Sequence, residues 1–322
     1  MRNELSALAL LLALSGCGGG SSGSTGGGTN GPVTVAPAPT PSPAPTPTPA
    51  PAASYATGFD FTKDRQFETV GGQVQIIDRP LGGQWVFDRA TSSLMNTREH
   101  NSAQFDHAGS AMLFKVAAHQ STYPGTLLEL SQTDYLRWLH LQPETINSLI
   151  VSRWPASDYV VLFKEEEQYR FDDGGIMMRS TIERWVLGGS YTLVSDHPTS
   201  GSKSYLVGVT STSVTRDGAM GFTANATVQM NFAGNSFSAT IPAVQISSVN
   251  GNAPVEATLQ LSGTLDSATG RLEGTITSAE GIYSGHFAGA FFGPQAAEIG
   301  IGFVLVKNGG IPVAGFIGTN RD

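Results

Sequence analysis

From residue 204 onward, apolar and polar side chains alternate in short runs, each closed by glycine, asparagine or aspartate. Phe237, Ala239 and Ile241 alternate with Ser236, Ser238 and Thr240, and Leu259 and Leu261 alternate with Thr258, Gln260 and Ser262. Residues two apart share one face of a strand, so a period of two predicts half-buried β-strands. The runs cover 204–210, 219–232, 236–246, 256–262, 271–277, 282–292, 297–306 and 311–317. Phe232-Ala233-Gly234-Asn235-Ser236 and Leu265-Asp266-Ser267-Ala268-Thr269-Gly270 have the composition of hairpin turns. About eight antiparallel strands of this length close on themselves and leave no exposed edge. The pattern therefore predicts an all-β fold with an eight-stranded antiparallel β-barrel at the C-terminus. A barrel of that size is filled by side chains or holds one small ligand, and the pattern leaves both open.

One stretch, residues 281–303, organises the rest. Tyr283, Phe287 and Phe291 fall on one face of a strand, with Gly285 and Gly289 between them on the same face. Rings alternating with bare backbone suit a tightly coiled sheet, in which glycine permits the bend and aromatics cover the backbone it exposes. Gly293-Pro294 then ends the strand, because proline cannot donate to a ladder.

Upstream, the pattern is less regular. Residues 73–77, 84–87, 111–117 and 159–163 read as strands. Residues 131–150 are ambiguous: Leu136, Trp138 and His140 could share a strand face, whereas Pro143-Glu144 could open a helix. Glu165-Glu166-Glu167 followed by Asp172-Asp173-Gly174-Gly175 reads as a solvated acidic loop region, since it lacks the alternating oxygen ligands of a calcium loop. Composition changes near residue 195: all four tryptophans, Trp85, Trp138, Trp154 and Trp185, precede it.

The amino terminus has a different character. Arg2, an apolar run from Leu5 to Leu14 and then Leu14-Ser15-Gly16-Cys17 have the form of a bacterial lipoprotein signal cut before the cysteine. The apolar run is too short to span a bilayer, which takes about 20 residues. Cys17 is the only cysteine in the chain, which singles it out for lipid attachment. Gly18 follows it rather than aspartate, which points to the outer membrane. Glycine, serine and threonine fill 18–31, and proline occupies alternate positions from 37 to 51. Such segments make a flexible coil and an extended polyproline stretch with no side chains to build a core, so a disordered tether is expected.

Charge and chemistry narrow the function. The formal charge is −8, which argues against a nucleic-acid partner. Six histidines, at 100, 107, 119, 140, 197 and 286, form no H-x-x-x-H or H-E-x-x-H pair, so no metal site is expected. A G-x-S-x-G elbow and a G-x-x-x-x-G-K-S/T loop are both absent from the folded part. The chain therefore reads as a non-enzyme with no catalytic residue and no assigned cofactor. His286, on a strand face with Ser284 and Ala288, has two readings: a haem-iron ligand or a hydrogen-bonded structural histidine.

The run G-A-F-F-G-P-Q-A-A-E-I-G-I-G-F, Gly289 to Phe303, resembles the closing motif of the transferrin-binding protein B β-barrel domain, found in Gram-negative surface lipoproteins. The family pattern is roughly G-x-F-aromatic-G-P-x-A-x-E-aliphatic-G-G-x-F; Ile301 replaces the second glycine of its pair. Pro198-Thr199-Ser200-Gly201 with Tyr205 is similar to the family's lead-in to the barrel, and Val313 to Gly318 to its final strand. The resemblance implies a smaller β-rich handle ahead of the barrel. It also implies a non-catalytic binding protein, surface-exposed on the outer membrane, that captures an iron carrier, haem or another macromolecule and hands it to an outer-membrane receptor. A structural or adhesive lipoprotein with no uptake role is the alternative. The expected organisation is a signal peptide (1–16), a lipidated linker (17–54), a handle-like region (55–195) and the barrel (196–322).

Overall fold

The computed structural model describes residues 54–95, 102–116, 119–124, 127–132, 135–141, 145–154, 157–215, 218–247 and 251–319. Cys17, the linker and His100 lie outside the described residues. Ten strands form one sheet: β1 (Arg65–Leu81), β2 (Gln84–Met95), β3 (Ser102–Asp106), β4 (Ala111–Val116), β5 (His119–Tyr123), β6 (Leu127–Gln132), β7 (Tyr135–Leu141), β8 (Thr145–Arg153), β9 (Val160–Asp173) and β10 (Ile176–Gly189). Their order is β5-β4-β3-β1-β10-β9-β8-β7-β6, and β2 also pairs with β1. The long β1 divides its edge between two partners, with Arg65–Glu68 paired to β3 and Gly71–Leu81 to β2.

Eight further strands close a barrel in simple sequence order: β11 (Ser202–Thr215), β12 (Gly218–Asn231), β13 (Ser236–Ser247), β14 (Gly251–Asp266), β15 (Arg271–Ser278), β16 (Tyr283–Phe292), β17 (Glu298–Lys307) and β18 (Ile311–Thr319). Pairing of β11 with β18, from Val207↔Thr319 to Ser213↔Val313, shuts the ring. The fold is all-β, as the alternation predicts. The barrel is filled: Tyr205, Phe222, Met230, Phe237, Leu259, Phe287, Phe303 and their neighbours form one buried cluster. Its rings lie over glycines of adjoining strands. A Cβ placed on Gly263 would come 2.5 Å from the Phe287 ring, and one on Gly315 would come 2.6 Å from the Phe303 ring. Ile301 also faces inward, with its Cγ1 2.9 Å from where a Cβ on Gly289 would stand, so it fills space that a glycine there would leave empty.

The ambiguous 131–150 segment is strand wherever it is described, in β6, β7 and β8. The acidic loop expected at 165–175 is corrected. Glu165, Glu166 and Glu167 lie in the middle of β9, and only Gly174-Gly175 makes a turn. Glu165 is wholly buried, which its strand tolerates because Arg184 of β10 stands directly opposite it.

Sheet and barrel meet on the outside of β16–β18. There the outer row is Gly300, Gly302, Ala314, Phe316 and Gly318, all buried, so backbone approaches backbone. Gly302 rests on the Gly71 backbone of β1. Beside it Trp185 stacks on Phe316, with ring centres 5.8 Å apart, and the Trp154 indole donates to the Thr319 carbonyl at 2.6 Å. Glu298, in the turn region after Gly293-Pro294, latches the other end. Its buried carboxylate accepts from the Ser157 hydroxyl (2.5 Å) and from the backbone N–H groups of Asp158 (2.8 Å) and Tyr159 (3.1 Å).

Candidate functional site

The sheet face that docks on the barrel runs on past it. Along β10, Trp185 lies over the barrel, and Glu183, Thr181, Arg179 and Met177 continue the same row outward. Glu166, Gln168 and Arg170 of β9 stand opposite Glu183, Thr181 and Arg179. With Ile76, Asp78 and Leu81 of β1 and Trp85 and Phe87 of β2, these side chains line an open groove of about 740 Å³.

Trp85 is the centre of that groove. It enters β2 opposite Pro80, immediately after the Gly82-Gly83 turn, whose positive φ angles of 60° and 81° reverse the chain. Two guanidinium groups lie by its ring, Arg179 at 5.2 Å and Arg170 at 5.8 Å from the centroid. Each such contact holds a cation on an aromatic face by about 0.5–1 kcal/mol where solvent reaches it. Arg179 is fixed further by Asp78, to which its Nε donates at 3.0 Å and its Nη2 at 2.5 Å. Beyond Trp85, the two hairpin ends carry Leu81, Ile176 and Met177, which are 60%, 53% and 51% exposed. Large apolar side chains gathered at one end of a sheet, with a tryptophan and two arginines, have the composition of a protein-contact surface.

The opposite, inner face of the sheet carries a polar cluster with a different purpose. Arg184 donates from Nη1 to Glu165 (2.7 Å) and from Nη1 and Nη2 to Glu167 (3.1 Å each). Across the curl of the sheet, the Tyr123 hydroxyl donates to Glu165 at 2.6 Å, and His119 Nε2 lies 3.4 Å from the same carboxylate. Burial alone would raise the Glu165 carboxyl, but the contacts from His119, Arg184 and Tyr123 outweigh it and hold the group below its ordinary range. These bonds fasten the edge strand β5 to β9 and so keep the sheet curled. The Ser121 hydroxyl lies 2.6 Å from His119 Nε2, a nucleophile-and-base pairing by distance. Glu165 shares that same ring nitrogen instead of orienting the other one, and Ser121 is only 8% exposed, so the group is not ordered as a catalytic relay.

His286 is exposed on the outer barrel wall, where it lines a second groove of about 560 Å³ with Leu94, Glu273 and Thr275. Its side chain points away from the packed interior. Among the described residues, no group of three or more histidine, cysteine or acidic side chains could hold a metal ion. The sequence pattern missed Trp85 with Arg170 and Arg179. Alternation in 166–170 marks those side chains as outward-facing, but nothing in the sequence places β2 and β10 beside them.

No protein-family model and no curated protein matches the chain. Among solved structures it is similar to a mutant of transferrin-binding protein B from Haemophilus parasuis Hp5, at 11% identity over 79% of this chain and 76% of that one, with a TM-score of 0.34. It is also similar to isotype 1 transferrin-binding protein B from serogroup B Neisseria meningitidis, at 10% identity over 81% and 77%, with a TM-score of 0.32. A third similar structure is a surface lipoprotein, at 10% identity over 78% and 98%, with a TM-score of 0.34. At about one identical residue in ten, no binding residue carries over from these proteins.

Proposed function

We propose that this chain is an outer-membrane lipoprotein, anchored through Cys17 and exposed at the cell surface, that captures a macromolecular ligand without catalysis. The ligand class is an iron carrier or a haem-bearing protein, passed on to an outer-membrane receptor. The observation that carries this reading is the arginine-flanked Trp85 in an open groove, bordered by exposed Leu81, Ile176 and Met177. Position supports it. The described chain starts at Ser54, and the Tyr55 hydroxyl donates to Asp196 at 2.8 Å, near the junction of sheet and barrel. β1 runs from that junction to the hairpin end, and a span from Glu68 to Leu81 at about 3.3 Å per residue is roughly 43 Å. The contact surface is thus at the far end of the sheet from the tether, which suits presentation away from the lipid.

The test is retention of transferrin, haemoglobin and haem–albumin by the immobilised full chain, compared with Trp85→Ala. A central tryptophan of a contact surface contributes about 2 kcal/mol or more, so Trp85→Ala should weaken retention roughly thirtyfold with no change in Tm. In parallel, Cys17→Ala should abolish palmitate labelling and release the protein from membranes. Retention of none of the three by the wild type would remove the capture reading and leave the structural or adhesive one.

A further inference from the structure

The groove pairs like charges with like. The register of β9 and β10 places Arg170 directly opposite Arg179 and Glu166 directly opposite Glu183, with Gln168 and Thr181 between the two pairs. Opposed like charges on neighbouring strands destabilise a sheet, so folding does not call for either pair. Only one of the four is offset by an ion pair among the described residues, Arg179 with Asp78. Glu183 accepts from the Trp185 indole at 3.2 Å and Glu166 from the Gln168 amide at 3.3 Å, both neutral donors. Lys164, the next residue of the row, is turned over the Trp185 ring at 4.6 Å. The groove therefore has a positive end at the hairpin tips and a negative end near the barrel. Four residues of strand separate them, about 13 Å.

We infer that this groove recognises an extended segment of a partner protein through two charges of opposite sign. A carboxylate sits between Arg170 and Arg179, and a lysine or arginine four residues along sits between Glu166 and Glu183. The spacing selects the conformation. In an extended segment, residues four apart point to the same side and span about 13 Å. A helix needs about nine residues to span that length, and nine residues at about 100° each turn the second side chain to the opposite side. The inference rests on the capture reading and adds the chemistry of what is captured.

The test uses three capped pentapeptides titrated into the full chain: Asp-Val-Thr-Val-Lys, Asp-Val-Thr-Val-Asp and Lys-Val-Thr-Val-Lys. Binding is followed at the Trp85 indole by NMR. The mixed-charge peptide should bind at least tenfold more tightly than either control. Arg170→Glu and Glu166→Lys each turn a like pair into an opposite pair. Each should raise Tm by about 1–3 °C while lowering affinity for the mixed-charge peptide at least tenfold. Equal binding of the three peptides, or a fall in Tm in both variants, would overturn the inference. The peptide series reads two-charge recognition alone, whereas the carrier experiment reads capture alone, so the two failures are distinct.

Discussion

Gly302→Ala adds a single methyl group at the place where sheet and barrel touch. Its Cβ would lie 2.5 Å from the Gly71 carbonyl carbon and 2.7 Å from the Gly71 nitrogen, where an ordinary carbon contact is about 3.5–4.0 Å. Both neighbours are backbone, held in β1 by pairing with β10 on one side and β2 on the other, so neither can swing aside. The layers must part by roughly 1 Å, and a gap of that size forfeits a quarter to a half of each dispersion contact it opens. The contacts at stake are Val70, Leu187, Trp154 and Phe316 on one side of the glycine pair and Val74, Ile76 and Ala314 on the other. Overpacking of this kind costs about 1–3 kcal/mol, and the upper end applies where no flexible side chain can yield. Strand propensity has the opposite sign, since alanine should be slightly better than glycine in a strand, so the direction of the result decides between the two effects. The assay is urea unfolding followed by tryptophan emission. All four tryptophans precede the barrel in sequence, and Trp154 and Trp185 lie in the contact itself. A loss of about 3 kcal/mol with a red-shifted native spectrum is expected. Stability equal to or above wild type, with an unshifted spectrum, would refute the backbone-contact argument.

Glu298→Ala removes the acceptor for three donors and leaves two backbone N–H groups without it, a cost of about 3 kcal/mol. Residues 157–159 should then become cleavable in limited proteolysis, and Glu298→Gln should lie between alanine and wild type. His197 packs edge-on against Phe291 and is held below its ordinary pKa of 6.5, chiefly by burial. A depressed native value means that its contribution is complete above about pH 6.5 and is lost as pH falls through the native value. Urea midpoints measured from pH 8 to pH 5 should therefore decline toward acid less steeply in His197→Gln; parallel curves would exclude this histidine as a source of the decline.

The barrel was the legible part of this chain because nearly every barrel strand obeys one rule. In β13, Phe237, Ala239 and Ile241 are buried and Ser238 and Thr240 exposed, so side-chain order alone locates the wall. The sheet was less legible because its inner face breaks that rule. Glu165 and Arg184 point into the core, where each is acceptable only because the other is opposite, and that pairing joins residues from two strands. Read one strand at a time, three consecutive glutamates signify solvent. The same limit hid the groove. Trp85, Arg170 and Arg179 come from three strands brought together by the order β1-β10-β9 with β2 on the flank, a layout that no local pattern encodes.

The loss of alternation in β16–β18 itself carries information. In β17, Ile299, Ile301, Phe303 and Leu305 fill the barrel, so the other parity should be polar if that wall faced water. Gly300 and Gly302 stand there instead, and both are buried. A barrel strand apolar or bare on both faces must be covered by a second layer, and glycine rather than leucine on the outer face means that the cover lies close. The ten-strand sheet is that cover. Its contact with the barrel includes backbone against backbone, which leaves little room for sliding or hinging, so the overhanging groove rests on a stiff base. Recognition there should then depend on charges and rings already in place, with little conformational entropy lost as a ligand arrives.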